Sequence, residues 1–581
     1  MSPEGPLDLG PMNPTPPGPF ESSVTDRDRT VIYVAILIAL FLAALDQTIV
    51  STALPQMVED LQGIDRYAWV ATAYLLASTG MALIYGKLAD TYSRKLVTLG
   101  ALGLFLVGSA LCGLSGEFGD LPLLGDGMTQ LVVFRGIQGA GGGGLFAMTF
   151  IVIADLFTPA ERGKYQGYVG AVYGIASVLG PLIGGLLTDN AGGIIPGVEG
   201  WRWVFYVNIP LGAAALWFIM RRMPRLEPPG ERALPDVLGG LLLFGGLIPL
   251  ILSLQLDKRA YPWTSPVTLG LFVFGAALLA AFVLRSRRAA NPILDMRLFA
   301  DPVFRTANAS TFFFGASFMS VTIFLPLFLV NVLGVSATRA GAALIPFSMG
   351  IVFSATLAGQ IVHRVGYRRQ LFIGGLVLLV TAVQLARMGP DVPYGLVTLY
   401  MVLAGLGVGP SMPLFTLAIQ NAVDVRLVGQ ATSAAQFFRQ TGATVGAALM
   451  GTVLASTLAL AFSTMELPAA WSARSDTTLE ELVSAGGAGL PESIGSVYAE
   501  LAAETATAQE AAAVLAQGTL LSQRVATEVR EAFALATSRI YWFTVLIVLL
   551  ATALVLRIPE VPLRTTHDRA DLERRPVAEG P

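Results

Sequence analysis

The sequence predicts an all-α polytopic membrane protein, on three observations. Only 13% of the 581 residues are charged, against 54% hydrophobic; a soluble globular chain carries roughly 25% charged residues. Apolar runs of about 20 residues, the length of a membrane-crossing helix, recur fourteen times. The basic residues of the short connecting segments alternate between abundant and sparse, as the positive-inside rule requires of successive loops.

The runs fall near 31–54, 67–86, 96–115, 130–154, 166–188, 203–220, 234–255, 266–285, 307–332, 341–362, 370–388, 395–420, 436–463 and 539–557. Short loops after even-numbered runs hold 18 Lys and Arg, among them Lys87, Arg94, Lys95, Arg162 and Arg426; those after odd-numbered runs hold six. Both termini are therefore expected in the cytoplasm of a cell whose inner membrane holds the chain. Residues 1–29, Pro-rich and acidic without an apolar core, are expected to form a disordered cytosolic tail. A single cysteine, Cys112, excludes an intrachain disulfide, and His363 and His567 sit in a loop and a tail. No metal, cofactor or nucleic-acid partner is expected, and no enzymatic activity. No phosphate-binding glycine loop of the ATPase type occurs, so the chain itself supplies no ATP-driven step.

Residues 464–538 form one long segment on the outer side. Its first half is rich in Gly, Ser and Pro and reads as irregular. In its second half Leu521, Val525, Val529 and Phe533 recur every four residues, a helical stripe. Either 519–557 is one helix of about 58 Å at 1.5 Å per residue, or the stripe belongs to a separate surface hairpin packed on itself.

Two stretches echo each other. "GKLADTYSRK" (Gly86 to Lys95) follows the second run and "GQIVHRVGYRR" (Gly359 to Arg369) the tenth. If the seventh and eighth runs are a central insert, both occupy the same place in two six-helix bundles. The division is then 30–222, an insert over 223–290, and 291–463 with 539–557, leaving 558–581 as a cytosolic tail.

The first of these stretches resembles the signature loop of the major facilitator superfamily. Gly86, Leu88, Ala89, Asp90, Arg94 and Lys95 match, while Ser93 replaces the usual turn glycine and Thr91 the usual arginine. "LDQTIVSTALP" (Leu45 to Pro55), "RGIQGAGGGG" (Arg135 to Gly144), "GPLIGG" (Gly180 to Gly185) and "GWRWVFYVNIPLG" (Gly200 to Gly212) resemble motifs of its fourteen-span drug:proton antiporter branch. The resemblance implies the major facilitator fold, two six-helix bundles plus two central helices. It also implies a latch role for the loop at Asp90, holding the two halves together in the outward-open state, with Arg162 a candidate cytosolic partner. It implies that Asp46 is the proton or substrate site and Arg135 its modulator.

Physical chemistry supports some of these roles independently. Asp46 is the only carboxylate placed deep in a run, and Arg135 falls at similar depth on the fourth. A buried acid with a cationic neighbour gains or loses a proton as its surroundings change; the same pair could also serve only to fix helix packing. Gly174, Gly180, Pro181, Gly184 and Gly185 permit close helix approach and a kink, whether for packing or for gating. Gly141–Gly144 would allow bending beside a wide cavity. Arg439, with Gln436 and Gln440, enters the thirteenth run near the cytosol, where snorkelling would account for its charge; it is also a candidate cavity contact. "GVGPSMPLF" (Gly407 to Phe415) reads as a broken helix, with Met412, Phe415 and Phe324 of the ninth run as candidate cavity contacts.

The expected function is proton-coupled export of lipophilic or cationic compounds, a multidrug efflux antiporter. An alternative keeps the fold and exports lipid, with 464–538 shielding acyl chains and a periplasmic or cell-envelope partner receiving them. A third reading, a non-transporting receptor or scaffold, leaves the buried acid without a purpose.

Overall fold

The computed structural model describes residues 25–61, 66–122, 124–190, 198–227, 236–256, 258, 260–465, 467–474, 490–505 and 507–563. Among them, fourteen helical segments are long and apolar enough to cross a membrane, and every one coincides with a run read from the sequence. The helices are numbered here by span.

Hydropathy under-reads several helix ends, because polar and small residues continue the helices beyond the apolar core. The first helix is Asp26–Leu61, so four residues assigned to the disordered tail, Asp26 to Arg29, are helical. Thr25 accepts from the Asp28 amide at 3.2 Å, capping it. Residues 1–24 lie outside the described residues. The fourth helix, Gly127–Leu156, is capped by Asp126, which accepts from Thr129 N.

Helices one to six form one bundle and nine to fourteen the other. Each bundle donates helices to the seam. The second helix (Tyr67–Thr91) packs along the thirteenth (Val428–Ser463), and the fifth (Pro159–Asn190) along the tenth (Leu344–Val365). The two echoing stretches mark these crossings. A Cβ on Gly86 would meet Gly429 O at 2.7 Å, and one on Gly359 would collide with the Gly163 backbone. The inserted seventh and eighth helices (Val237–Gln255 and Pro266–Arg288) pair with each other, and the seventh rests on the second and thirteenth.

The two turns that follow the echoes differ. Ser93 has φ −53° and ψ 128°, a conformation open to any residue, so the replaced glycine costs nothing. Gly366 has φ 82°, where a side chain is strained.

The twelfth span is two helices, Tyr394–Val408 and Ser411–Ala422, broken at Gly409–Pro410. The fourteenth is a single helix, Ala508–Leu556, of 49 residues. At about 73 Å it greatly exceeds a hydrocarbon core of about 30 Å. A helix over Leu490–Ala503 packs on its N-terminal part, where Ser522 donates to Pro491 O at 2.8 Å, and Val525, Val529 and Phe533 are buried. Of the two alternatives the single long helix is the one observed, with the Leu490–Ala503 helix folded back on it. Within the segment expected to be irregular, Ala469–Arg474 is also helical, and 475–489 lies outside the described residues. Arg530 ties the extension down, donating to Val332 O and, at 2.7 Å, to Pro390 O.

Candidate functional site

Asp46 lies 20 residues into the first helix and is fully buried. Three side chains donate to it. Arg135 Nη1 lies 2.6 Å from Oδ2; Gln138 Nε2 and Asn208 Nδ2 lie 2.7 and 3.2 Å from Oδ1. Arg135 and Gln138 are one helical turn apart and share a face of the fourth helix. Arg135 also donates to Gln138 Oε1 at 2.8 Å and to Val70 O at 3.3 Å, and its guanidinium lies 4.3 Å from the Tyr74 ring centroid. Asn208 further donates to Ser109 Oγ at 3.1 Å.

Asn208 arrives through "GWRWVFYVN". Trp201 is fully buried and donates to Asp60, while Arg202 Nη1 donates at 2.8 Å to Gly113 O and Ser115 O at the end of the third helix. That anchor sets the start of the Asn208–Arg222 helix, and with it Asn208. Nothing in the sequence of this stretch assigns Asn208 a role, and the same holds for Gln138 and Tyr74. The signal available was Gln138's i+3 spacing from Arg135; nothing local marked Asn208, 162 positions from its partner.

Every group around Asp46 is a donor, so the site is built for a carboxylate. Protonating Asp46 would set an O–H against these donors and leave Arg135 charged in a dry interior. Losing one partner of a buried ion pair typically costs 3–5 kcal/mol, roughly, which is ample to move a conformational equilibrium.

The loop at Asp90 lies at one end of the molecule, and there the two bundles meet. Asp90 accepts from the backbone N–H groups of Gly429 and Gln430 at 2.9 and 2.8 Å, at the start of the thirteenth helix. A carboxylate on a helix N-terminus is stabilised by the helix dipole. Arg94 joins Asp90 at 3.8 Å to Asp155 at 2.7 Å, and Asp155 is a second carboxylate the sequence reading passed over. Lys95 donates to Met220 O, within its own bundle, and Arg162 donates to Phe157 O and Ala154 O, closing the end of the fourth helix. Gln166 of the fifth helix donates to Gln420 Oε1 at 2.9 Å, and Gln420 to Thr432 Oγ1 at 2.9 Å.

The glycines of the fifth helix serve two neighbours. Gly174 faces Val352 and Ser348 of the tenth helix across the seam. Gly180 and Gly184 face Thr48 and Ile49 of the first, and a Cβ on Gly185 would meet nothing within 4 Å. Pro181 lies inside this helix without ending it. The Gly141–Gly144 run does not open a cavity, contrary to expectation. It presses the fourth helix onto the second and third, where side chains would strike Phe105, Tyr74, Ser78 and Tyr85.

A cavity of about 510 Å³ lies between the bundles. Its walls run from Phe146 and Phe415 toward the end opposite Asp90, reaching Ala455 and, beyond the seventh helix, Lys258. Met412 and Phe415 line it as expected from the broken twelfth span. Phe324 does not; it packs in a core with Met450, Ile540 and Ile547, while its neighbour Ile323 faces the cavity. Asp46 is not part of the wall either. The adjacent Gln47 is, and it hydrogen-bonds Tyr74, which stacks on Arg135. Cavity and acid are thus joined through three side chains, Gln47, Tyr74 and Arg135.

Arg439 lines the cavity, the second of its two expected roles. The thirteenth helix starts at Val428, eight residues before its apolar run, because the small residues Gly429 and Ser433 pack into the seam. Arg439 is therefore about 16 Å along the helix, beyond the reach of simple snorkelling.

The family profile of the Major Facilitator Superfamily matches residues 36–447. The chain belongs to the major facilitator superfamily. It is 37% identical over 426 residues to the multidrug transporter protein MdtP of Bacillus subtilis, covering 73% of this chain and 75% of that one. It is 32% identical over 555 residues to the uncharacterized MFS-type transporter Rv1877 of Mycobacterium tuberculosis, covering 95% and 72%. The solved structure of the proton:xylose symporter XylE aligns with a TM-score of 0.56 at 13% identity, covering 94% of this chain and 99% of that one. That likeness is one of major facilitator fold.

Proposed function

We propose that this major facilitator transporter exports lipophilic small molecules by alternating access, in exchange for protons taken up at Asp46. The observation that carries the reading is the fully buried Asp46, held by Arg135, Gln138 and Asn208 and linked by Gln47 and Tyr74 to the cavity. A static packing pair would need neither three donors nor a route to the cavity wall. Multidrug transport by the Bacillus relative is consistent with this cargo class.

In this reading the Asp90 end faces the cytosol, where the positive-inside rule puts it, and both termini lie there. With that end closed by Asp90, Gln166 and Gln420, and with the cavity extending the other way, the conformation is outward-facing. Proton binding at Asp46 frees Arg135, loosens the first and fourth helices and biases the transporter toward the inward-facing state. Release of the proton to the cytosol restores the pair.

Export of lipid is less well supported, because Val525, Val529 and Phe533 of the fourteenth helix's apolar stripe are buried within the protein. In proteoliposomes with an imposed pH gradient, Asp46→Asn should lose gradient-driven efflux of a lipophilic dye while retaining dye binding. Full gradient-driven efflux in that variant overturns the assignment.

A further inference from the structure

Resting on the exporter reading, and narrowing its cargo, we propose that the cavity binds an acidic lipophilic molecule through Arg439. The cavity wall holds two charged side chains, Arg439 and Lys258, and among the described residues no carboxylate lines it. Asp46, the one acid at comparable depth, is turned away and fully engaged by its own donors. Lys258 stands near the outer rim, its ammonium 4.4 Å from the Trp263 ring centroid.

Arg439 is placed to receive an anion. Its one hydrogen bond among the described residues is from Nη2 to the neutral Gln436 Oε1, and it has no carboxylate partner there. A guanidinium has five N–H donors in a planar fork, so most of them are open to the cavity. An intramembrane charge without a counter-ion is costly, and such groups face ligands or pathways. Carboxylates, sulfonates and phosphates match the fork in two-point geometry.

The surroundings specify the rest of the molecule. Phe146, Tyr173 and Phe318 form an aromatic shelf that crosses from one bundle to the other, with ring centroids 6.2 and 6.3 Å apart. Phe314 packs against Phe415 on the far wall, at 5.4 Å. The volume suits a drug-sized ligand, so the occupant is a compact acid with an apolar or aromatic body. Among the described wall residues a lipophilic cation would meet no counter-charge.

Two fluorescent probes of nearly the same shape test this. 8-Anilinonaphthalene-1-sulfonate carries a sulfonate, and N-phenyl-1-naphthylamine is its uncharged counterpart. Both are titrated into the purified full-length protein in phosphatidylcholine nanodiscs, with empty nanodiscs subtracted. The sulfonate should bind roughly tenfold or more tightly than the neutral probe, the scale of a charged hydrogen bond. Arg439→Gln should abolish that preference and leave the neutral probe's affinity within about twofold, and Arg439→Lys should keep part of it. Equal affinities in the wild-type protein overturn the proposal without any variant. So does a loss in Arg439→Gln shared equally by the two probes. The titration uses no pH gradient. Failure here, with Asp46→Asn still abolishing gradient-driven efflux, removes the acidic cargo and leaves the exporter standing.

Discussion

Asp46 and Arg135, 89 positions apart in the chain, form an ion pair of 2.6 Å in which neither side chain is more than 2% exposed. Arg135 also holds Gln138 and the Val70 carbonyl, so its planar fork is used on three sides. Arg135→Gln should therefore destabilise the protein by about 3–5 kcal/mol, the usual cost of stranding one member of a buried pair. Arg135→Lys should restore little of this, since one ammonium cannot reach all three acceptors. Thermal unfolding in detergent reads both. Near-wild-type stability of Arg135→Gln would show that the pair contributes little in this state.

The contact from Asp90 to the Gly429 and Gln430 amides is a direct clasp between bundles at the closed end, beside that of Gln166 and Gln420. Asp90→Asn removes the charge from the helix N-terminus, worth up to about 2 kcal/mol, and should populate conformations open at that end. Spin labels at the exposed Lys164 and Arg364 flank the Gly163–Gly359 crossing. A Cys112→Ala background leaves them as the only labelled sites. Asp90→Asn should add a longer distance, and Gly359→Val, which collides with Gly163, should add more. An unchanged distance distribution in both variants would remove the clasp.

The two echoing turns predict opposite responses. Gly366 at φ 82° also lies against Glu560, so Gly366→Ala should lower stability by about 1–2 kcal/mol from backbone strain alone. Ser93→Gly should change it by a few tenths at most, because Ser93 already occupies an ordinary extended conformation. Paired melting curves decide this, and equal losses in the two would contradict it.

The pH dependence of transport should not follow the carboxylate of Asp126. Asp126 is held down to about pKa 2, first by the Thr129 backbone N–H and then by Arg66 and the Thr129 hydroxyl. A lowered pKa stabilises the fold above the ordinary carboxylate value of 3.8, and that contribution fades only as pH falls toward 2. Between pH 5 and 8 the Arg66–Asp126 pair is therefore constant. Asp126→Asn should leave the shape of the transport pH profile unchanged, measured by dye efflux across that range.

An acidic cargo also fixes the response to voltage. Exchanging one proton inward for one monovalent anion outward moves two positive charges inward. A potential of 100 mV, inside negative, then contributes about 4.6 kcal/mol, at about 2.3 kcal/mol per charge. A potassium diffusion potential alone should drive efflux of 8-anilinonaphthalene-1-sulfonate in proteoliposomes, and more strongly than efflux of the neutral naphthylamine. Voltage-independent sulfonate efflux would contradict the exchange.

The sequence yielded the fourteen spans and the depth match of Asp46 and Arg135, since hydropathy and a rare intramembrane charge are local signals. It did not yield Asn208, whose relation to Asp46 depends on how Trp201 and Arg202 seat the sixth span. Arg439 was open to two readings, snorkelling or cavity contact, and only tertiary packing brings it into the cavity wall. The glycine run at 141–144 was read as room, when its neighbours fill the space a side chain would need. Phe324 and Ile323 are adjacent, and only tertiary packing decides which faces the cavity.

The central claim, that Asp46 exchanges the coupled proton, is tested most directly by recording cargo-dependent proton uptake into proteoliposomes with a trapped pH dye. The wild-type protein should show proton movement that starts on cargo addition. Asp46→Asn should bind cargo and show no cargo-dependent proton movement. Cargo-dependent proton movement at the wild-type rate in Asp46→Asn would contradict the account.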